Sequence, residues 1–193
     1  MTEIAVVYHS GYGHTEVVAK AIVKGAEGAG AKVHLAKVAQ DGTLSEEAWA
    51  GLNKADAIIF GAPTYMGSVS GPFKMFMDAS SKIWFHQGWK DKLAGGFTNS
   101  LSMSGDKLNS LFQMAILAAQ HGMIWVPQAE ANTSTKEAGK SGSRESVNRI
   151  GSYLGVMTQA DNVAPDQSPN DGDLKTAELY GARMVAAAKR WAA

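Results

Sequence analysis

The sequence predicts an α/β protein with an open, doubly wound parallel sheet of five strands, covered by helices on both faces. Two observations carry this prediction. Short, continuously apolar segments, typical of strands buried on both faces, alternate with segments whose apolar residues repeat at helical spacing. The connectors between them are short, which favours parallel βαβ units with crossover helices on the two faces. With 193 residues the chain can bury one substantial core, so we expect a single domain over 1–193.

The first half of the chain contains three strands. The apolar run from Ile4 to Tyr8 predicts a strand over 3–8, and the helical spacing of Val18, Ala21 and Ile22 predicts a helix over 14–28. A strand over 32–38 and a helix over 45–53 continue the alternation. The run Ala57–Gly61 is again continuously apolar and predicts a doubly buried strand over 56–61.

The second half continues the pattern to a long final helix. We expect helices over 71–84 and 106–120, strands over 94–98 and 123–126, and the end of the fifth strand at Pro127. Residues 132–148 are polar and lack periodicity, and so long a connector is usually either a functional flap or a mobile segment. After a loop over 161–171, the apolar spacing from Leu174 to Ala188 predicts a helix over 173–190.

The residues after the first strand have the composition of an anion site. Ser10 to Thr15 are mostly small, hydroxylated or glycine, and they lead directly into a helix. The first backbone N–H groups of a helix and its dipole attract negative charge, and the hydroxyls of Ser10 and Thr15 would add donors. Gly11 and Gly13 would permit close backbone approach. The segment therefore predicts a phosphate site, with a plain strand-to-helix turn as the alternative.

The residues missing from this loop narrow the choice of phosphate. A nucleoside-triphosphate loop needs a lysine, but no Lys or Arg occurs between Ile4 and Val18. A dinucleotide site needs a third glycine where Glu16 stands, and an acid in the second strand, where there is none. A neutral cradle of hydroxyls and amides fits a deeply bound monophosphate such as flavin mononucleotide (FMN).

Composition excludes several classes of function. Lys plus Arg and Asp plus Glu each number 18, so no basic footprint for nucleic acid or an anionic membrane is present. With no cysteine, thiol redox chemistry is excluded and any redox function needs a cofactor. The histidines show no metal-binding spacing, so we expect no metal site. No signal segment or long apolar span is apparent, so we expect a cytoplasmic protein without membrane insertion.

Three segments together resemble the flavodoxin-like NAD(P)H:quinone oxidoreductases of the WrbA type. They are Tyr8–Thr15, Gly61–Gly67 and Ala119–Met123, in the order and spacing of that family over essentially the whole chain. The resemblance implies a flavodoxin-like fold, FMN as cofactor, NADH or NADPH as hydride donor, a quinone or similar acceptor, and a homo-oligomer, either a dimer or the family's tetramer.

The resemblance also assigns roles to residues. His121 would lie over the flavin as the catalytic residue, and Tyr12 would contact the nicotinamide donor. Trp84 would form one wall of the quinone site. Residues from three loops would bind FMN: Ser10, Gly11, Tyr12, Gly13, His14 and Thr15; Pro63, Thr64, Tyr65, Met66 and Gly67; and Asn99, Ser100, Leu101, Ser102 and Gly105. The third loop departs from the family's glycine-rich pattern at Leu101, Met103 and Ser104, which implies a different loop path.

Other interpretations of these residues remain open. His121 at a helix end is also typical of a structural cap, and the aromatic cluster around Trp84 is also typical of a hydrophobic plug or subunit contact. For the whole chain we expect an FMN-dependent enzyme with ping-pong kinetics. The alternatives are a flavodoxin-type electron carrier and a non-catalytic FMN-binding protein.

Overall fold

The computed structural model describes residues 1–133 and 143–193. Along the chain the elements are β1 (Glu3–Tyr8), α1 (His14–Gly28), β2 (Lys32–Lys37), α2 (Glu46–Lys54), β3 (Ala57–Tyr65), β4 (Ser68–Val69), α3 (Gly71–Ala79), α4 (Ser81–Phe85), β5 (Leu93–Ser100), α5 (Lys107–Gln120), β6 (Ile124–Trp125), β7 (Val156–Gln159) and α6 (Asp171–Trp191). The main sheet runs in the order β2-β1-β3-β5-β6, with every neighbouring pair parallel. This confirms the flavodoxin-like, doubly wound prediction.

Helices cover both faces of the sheet and make three layers. On one face, residues of α1 and α6 pack with one side of the strands, Ile4, Ile59 and Phe97 among them. On the other face, residues of α2, α3 and α5 pack with the opposite side, including Val7 and Phe60. Because successive strand residues alternate between the two clusters, the continuous apolar runs of β1 and β3 are explained by burial on both faces.

The strand order places a switch point between β1 and β3. The chain moves from β1 to β2 in one direction, and β3 and β5 extend the sheet in the other. In such sheets the crevice for a ligand lies beyond the carboxyl ends of the strands at this point. The loops that follow β1, β3 and β5 therefore meet at one edge.

Several boundaries differ from the sequence prediction. β3 extends to Tyr65 and β5 to Ser100, so parts of the expected loops 62–67 and 99–105 are strand. A short hairpin joins β3 to β4, with Met66 and Gly67 both at positive φ in its two-residue turn. The expected helix over 71–84 is two helices, separated at Ser80, whose hydroxyl donates to the carbonyl of Met77.

The fifth strand position is shared by two short strands. β6 pairs with the start of β5, and β7 pairs with its end; both pairs are parallel. The edge position beside β5 is therefore occupied by two short strands, and the chain leaves the sheet between them. The sequence prediction found β6 and missed β7. Of the polar segment predicted over 132–148, residues 134–142 lie outside the described residues. At its base, Thr133 and Val147 exchange two hydrogen bonds of 3.0 and 3.1 Å.

Candidate functional site

A cavity of about 420 Å³ lies at the carboxyl edge of the sheet, beside the switch point. Ten of the predicted site residues line it: Ser10, Tyr12, His14, Thr15, Pro63, Thr64, Tyr65, Asn99, Ser100 and Leu101. Four residues that the sequence analysis did not assign also line it, namely Ala160, Asp161, Asn162 and Val163. The three expected loops thus come together, and a fourth segment, which follows β7, forms the remaining wall of the cavity.

The first loop forms a tight turn into α1. Gly13 adopts φ 93° directly before the helix, and an added Cβ there would lie 2.5 Å from Pro165. The Ser10 hydroxyl accepts hydrogen bonds from the backbone N–H groups of Gly13 at 3.1 Å and Glu16 at 3.3 Å. Ser10 therefore holds the start of α1 at the cavity, where the helix dipole favours an anion.

The fourth segment is tied to the first loop. His14 Nε2 lies 2.9 Å from the carbonyl oxygen of Val163. The backbone N–H of Asp161 donates to the Ser168 hydroxyl at 2.8 Å, which fixes the far side of the same segment. A loop over 161–171 was expected from the sequence, but its place in the cavity wall was not, because it depends on β7, which the apolar pattern does not reveal.

Two polar side chains of the cavity wall are held from below. The Thr64 hydroxyl lies 2.7 Å from the hydroxyls of both Thr98 and Ser110. The Asn99 side-chain oxygen accepts from Thr158 at 2.7 Å, so β3, β5 and β7 are joined beneath the cavity. These contacts fix the side chains of Thr64 and Asn99, both of which line the cavity.

The mouth of the cavity is aromatic. Tyr12 is 78% exposed, and an added Cβ at Gly11 would lie 2.6 Å from the Tyr65 hydroxyl oxygen, so this glycine is needed for the ring to approach the loop. Burial, and to a smaller extent the neighbouring Tyr12, raise the pKa of Tyr65. A hydrogen bond from the Gly11 backbone N–H acts in the opposite direction. Tyr65 is therefore a neutral phenol at neutral pH.

Six of the predicted cofactor residues do not line the cavity. Gly11 and Gly13 shape the first loop from behind, and Ser102 and Gly105 belong to the third loop without reaching the lining. In the hairpin turn after Tyr65, Met66 is fully exposed and Gly67 lies beside it, with its carbonyl accepting from Asn109 at 2.7 Å.

His121 and Trp84 are not brought to this cavity within one chain. Both line a second cavity, of about 410 Å³, with Phe85 and Lys90. His121 precedes Gly122, whose carbonyl accepts from Asp91 N–H just before β5 begins. The first cavity lies at the other end of β5, roughly 20–25 Å away along the strand. The expectation that these side chains sit over the ring therefore does not hold inside a single subunit.

Among residues 1–133 and 143–193, no group of three His, Asp or Glu side chains is arranged to hold a metal ion. No helix in the same part of the chain combines the length and apolarity needed to cross a bilayer.

Comparison with known proteins agrees with this geometry. A family model described as NADPH-dependent FMN reductase matches residues 4–138. The chain is 46% identical over 187 residues to flavodoxin FldP of Pseudomonas aeruginosa, covering 96% of each protein. It is 28% identical to an NAD(P)H dehydrogenase (quinone) of Archaeoglobus fulgidus, over 98% of this chain and 99% of that protein. The crystal structure of a WrbA-like flavodoxin from Agrobacterium tumefaciens superposes with a TM-score of 0.77 at 44% identity, covering 98% of this chain and 99% of the other.

Proposed function

Because the chain belongs to the NADPH-dependent FMN reductase family, we propose that it is an FMN-dependent oxidoreductase. It takes a hydride from NADH or NADPH and reduces a quinone or a similar small acceptor. The overall reaction is NAD(P)H plus a proton plus quinone giving NAD(P)⁺ plus hydroquinone. The observation that carries the proposal is the cavity at the switch point, where the start of α1 meets the carboxyl ends of β3 and β5.

In this proposal, residues of the first loop, Ser10 to Thr15, bind the phosphate. Thr15 is buried and lines the cavity at the start of α1, and Ser10 orders the backbone N–H groups around it. None of the residues lining the cavity is a lysine or an arginine, so backbone amides, hydroxyls and the helix dipole carry the binding. FMN, once bound, supplies the hydride chemistry, and the protein supplies binding, orientation and a defined electrostatic environment.

Donor and acceptor use the same opening in turn. In the described part of the chain, the cavity between the loops has one aromatic mouth, formed by Tyr12 and Tyr65. A nicotinamide and a quinone that both need the exposed flavin face must therefore bind successively. This supports ping-pong kinetics, in which double-reciprocal plots at several fixed quinone concentrations are parallel.

The first experiment is a titration of flavin-free protein with FMN, with riboflavin as the matched ligand that lacks the phosphate. We expect saturable binding of FMN and clearly weaker binding of riboflavin. NAD(P)H oxidation is then followed with a soluble quinone. Failure to bind FMN would remove the proposal altogether, and intersecting double-reciprocal lines would contradict the shared opening.

An electron carrier of flavodoxin type is the second candidate, and one observation favours it. The relative at 46% identity is named a flavodoxin, whereas the dehydrogenase relative reported above is only 28% identical. The balanced charge of 18 basic and 18 acidic residues argues against a carrier that docks on basic partners. Accumulation of one-electron-reduced flavin at half reduction, with no NAD(P)H turnover, would identify the carrier.

Assembly into a homo-oligomer belongs to the same proposal. The second cavity carries Trp84 and Phe85, which are 48% and 76% exposed, at the edge opposite the FMN cavity. Only a neighbouring subunit could bring His121 and Trp84 to a flavin, because one chain keeps them at the far end of β5.

A further inference from the structure

Lys107 is a fully buried lysine at the third loop of the cavity. It is the first residue of α5 and has no exposed surface. Its Nζ donates to the Ser100 hydroxyl at 2.8 Å and to the carbonyl oxygens of Ser102 at 2.7 Å and Met103 at 3.0 Å. All three donors of the ammonium group are therefore used to hold the loop, two residues of which, Ser100 and Leu101, line the cavity.

The position is an unfavourable one for a cation. A positive charge in the first turn of a helix is opposed by the helix dipole, and complete burial removes its hydration. The pKa of Lys107 is lowered to about 8, mainly by burial; Asp173 acts in the opposite direction, and Arg149 adds a smaller lowering effect. At pH 7 the group is therefore still largely an ammonium ion, which the charge of Asp173 favours.

The three buried ionic groups here, Lys107, Arg149 and Asp173, together carry one positive charge in excess. Arg149 Nε donates to Asp173 Oδ1 at 2.9 Å, and both side chains are buried. The same arginine donates to the Gln159 side chain at 2.9 Å. Asp161, at the rim, is paired with Arg144 at 2.6 Å. The buried carboxylate of Asp173 is thus paired with Arg149, and its charge also acts on Lys107 from further away.

We propose that Lys107 is a positioning residue for the flavin: it holds the 100–103 loop from below, and the excess positive charge of the Lys107–Arg149–Asp173 group favours the two-electron-reduced, anionic state of FMN over the oxidised state. This inference rests on the proposed function. The ammonium lies one layer behind the cavity wall, so it acts through the loop and the local potential and makes no contact with the flavin.

The physical reason is the change of charge on reduction. The oxidised isoalloxazine ring is neutral, and the ring carries a negative charge after two-electron reduction near neutral pH. A fixed cation in a low-dielectric wall stabilises the second state more than the first. Residues 100–103 include Leu101 and Met103 and no glycine, so their backbone is less able to follow a ligand closely. Three hydrogen bonds from Lys107 hold this segment in its conformation instead.

The test compares three substitutions at this position with one matched control. Lys107→Met removes charge and donors, Lys107→Gln keeps a donor without the charge, and Lys107→Arg keeps the charge. Lys92→Met is the control. Lys92 is a half-buried lysine that, like Lys107, donates to backbone carbonyls, those of Asn53 at 2.8 Å and Ala55, but it lies at the opposite edge of the sheet. Dissociation constants for oxidised and reduced FMN, the midpoint potential, and amide hydrogen exchange of the flavin-free protein are measured for each.

We expect Lys107→Met and Lys107→Gln to raise the ratio of the reduced to the oxidised dissociation constant at least tenfold. That factor is equivalent to a potential about 30 mV lower for a two-electron couple. Lys107→Arg and Lys92→Met should leave the potential at the wild-type value. In the flavin-free protein, amides of residues 100–105 should exchange faster in Lys107→Met than in Lys92→Met.

Unchanged potentials in Lys107→Gln and Lys107→Met would overturn the proposal. Equal weakening of both redox states would reduce Lys107 to a structural residue and also overturn it. If Lys107→Met does not fold, the difference in potential between Lys107→Gln and Lys107→Arg decides the matter. A wild-type protein that binds no FMN would instead refute the proposed function, and this inference would fall with it.

Discussion

The rings of Tyr12 and Tyr65 meet edge to face, with centroids 6.2 Å apart and an angle of 69° between their planes. Tyr65 is anchored against Gly11, whereas Tyr12 is mostly exposed and has only this one ring contact among the described residues. An exposed aromatic ring at the mouth of a cavity contributes little to the core, and its free face is available for stacking on a ligand.

Tyr12→Leu tests this availability. Loss of a stacking contact worth about 0.5–1.5 kcal/mol should raise the KM for NAD(P)H about two- to tenfold. The dissociation constant of FMN should change less, because in our proposal the start of α1, and not Tyr12, binds the phosphate. Steady-state kinetics and a flavin titration measure the two quantities. Tyr153→Leu serves as the control, since Tyr153 is 55% exposed and lies outside the cavity lining. Equal effects of the two substitutions would contradict a role for Tyr12 in donor binding.

Thr15→Ala tests the phosphate cradle. Removal of a hydrogen bond to a charged phosphate, worth roughly 1.5–3 kcal/mol, should weaken FMN binding about tenfold to a hundredfold. Riboflavin, which lacks the phosphate, should bind the variant and the wild type alike. Thr43→Ala provides the comparison, because Thr43 is exposed and bonds only locally, to Asp41 at 2.6 Å. A folded Thr15→Ala protein with the wild-type affinity for FMN would show that this hydroxyl does not bind phosphate.

Much of the fold could be predicted from the sequence because the core strands are buried on both faces. The apolar runs at Ile4–Tyr8 and Ala57–Gly61 have no other simple explanation, and short connectors set the parallel order. β7 was missed because its four residues, Val156–Gln159, mix polar and apolar side chains at a sheet edge. The break at Ser80 was missed because it depends on a side-chain hydrogen bond that helical periodicity does not reveal.

The candidate site divides in the same way. Ten lining residues were predicted: the strand–loop–helix pattern at 10–15 indicated an anion site, and the resemblance to the WrbA-type family assigned the residues of the other two loops. The Lys107–Arg149–Asp173 group was missed because its members are far apart in the chain and each is typical of a surface position when considered alone. His9 was also missed: its ring nitrogens lie 2.8 Å from the Ser70 hydroxyl and 3.1 Å from the Gln40 side-chain oxygen, and it joins three segments near the first loop.

Glu3 makes the protein's stability depend on acid pH. Hydrogen bonds from Lys54 and then from His34 lower the pKa of Glu3 to about 2. Since this pKa is below the model-compound value of 4.5, the contribution is complete above pH 4.5 and is lost as the pH falls from 4.5 towards 2. The difference in free energy of unfolding between wild type and Glu3→Gln should therefore shrink over that interval. Urea unfolding at several pH values measures it.

A matched control exists for this measurement. Glu27→Gln changes an exposed carboxylate on α1 and should give a smaller difference in the free energy of unfolding. High salt should also reduce the effect of Glu3→Gln, because the lysine partners are largely exposed. A Glu3→Gln difference that stays constant from pH 6 to pH 2 would contradict the ion-pair explanation.

His121 is held in place by two neighbours at the far edge of the sheet. Its ring centroid lies 4.5 Å from that of Trp89, and its Nε2 lies 2.9 Å from the Ser80 hydroxyl oxygen. The Ser80 hydroxyl donates its proton to the carbonyl of Met77, so it accepts the hydrogen bond from His121. The ring proton of His121 is therefore on Nε2. Nδ1 is then a buried atom with no hydrogen-bond partner in the described part of the chain. Burial lowers the pKa of His121, so the ring is neutral at pH 7.

His121→Ala separates a structural role from an action on the acceptor. We expect FMN affinity to stay within about twofold of wild type, because the proposed FMN cavity is a strand length away. The melting temperature should fall with the lost packing on Trp89. A neighbouring subunit that places His121 at a flavin would make reoxidation by quinone roughly tenfold slower or more in the variant, as for other lost polar contacts in active sites. Since that effect requires the assembly, it should disappear on dilution to concentrations where subunits separate. Rapid mixing at high and low protein concentration measures this, and reoxidation at the wild-type rate under both conditions would leave His121 with the structural role alone.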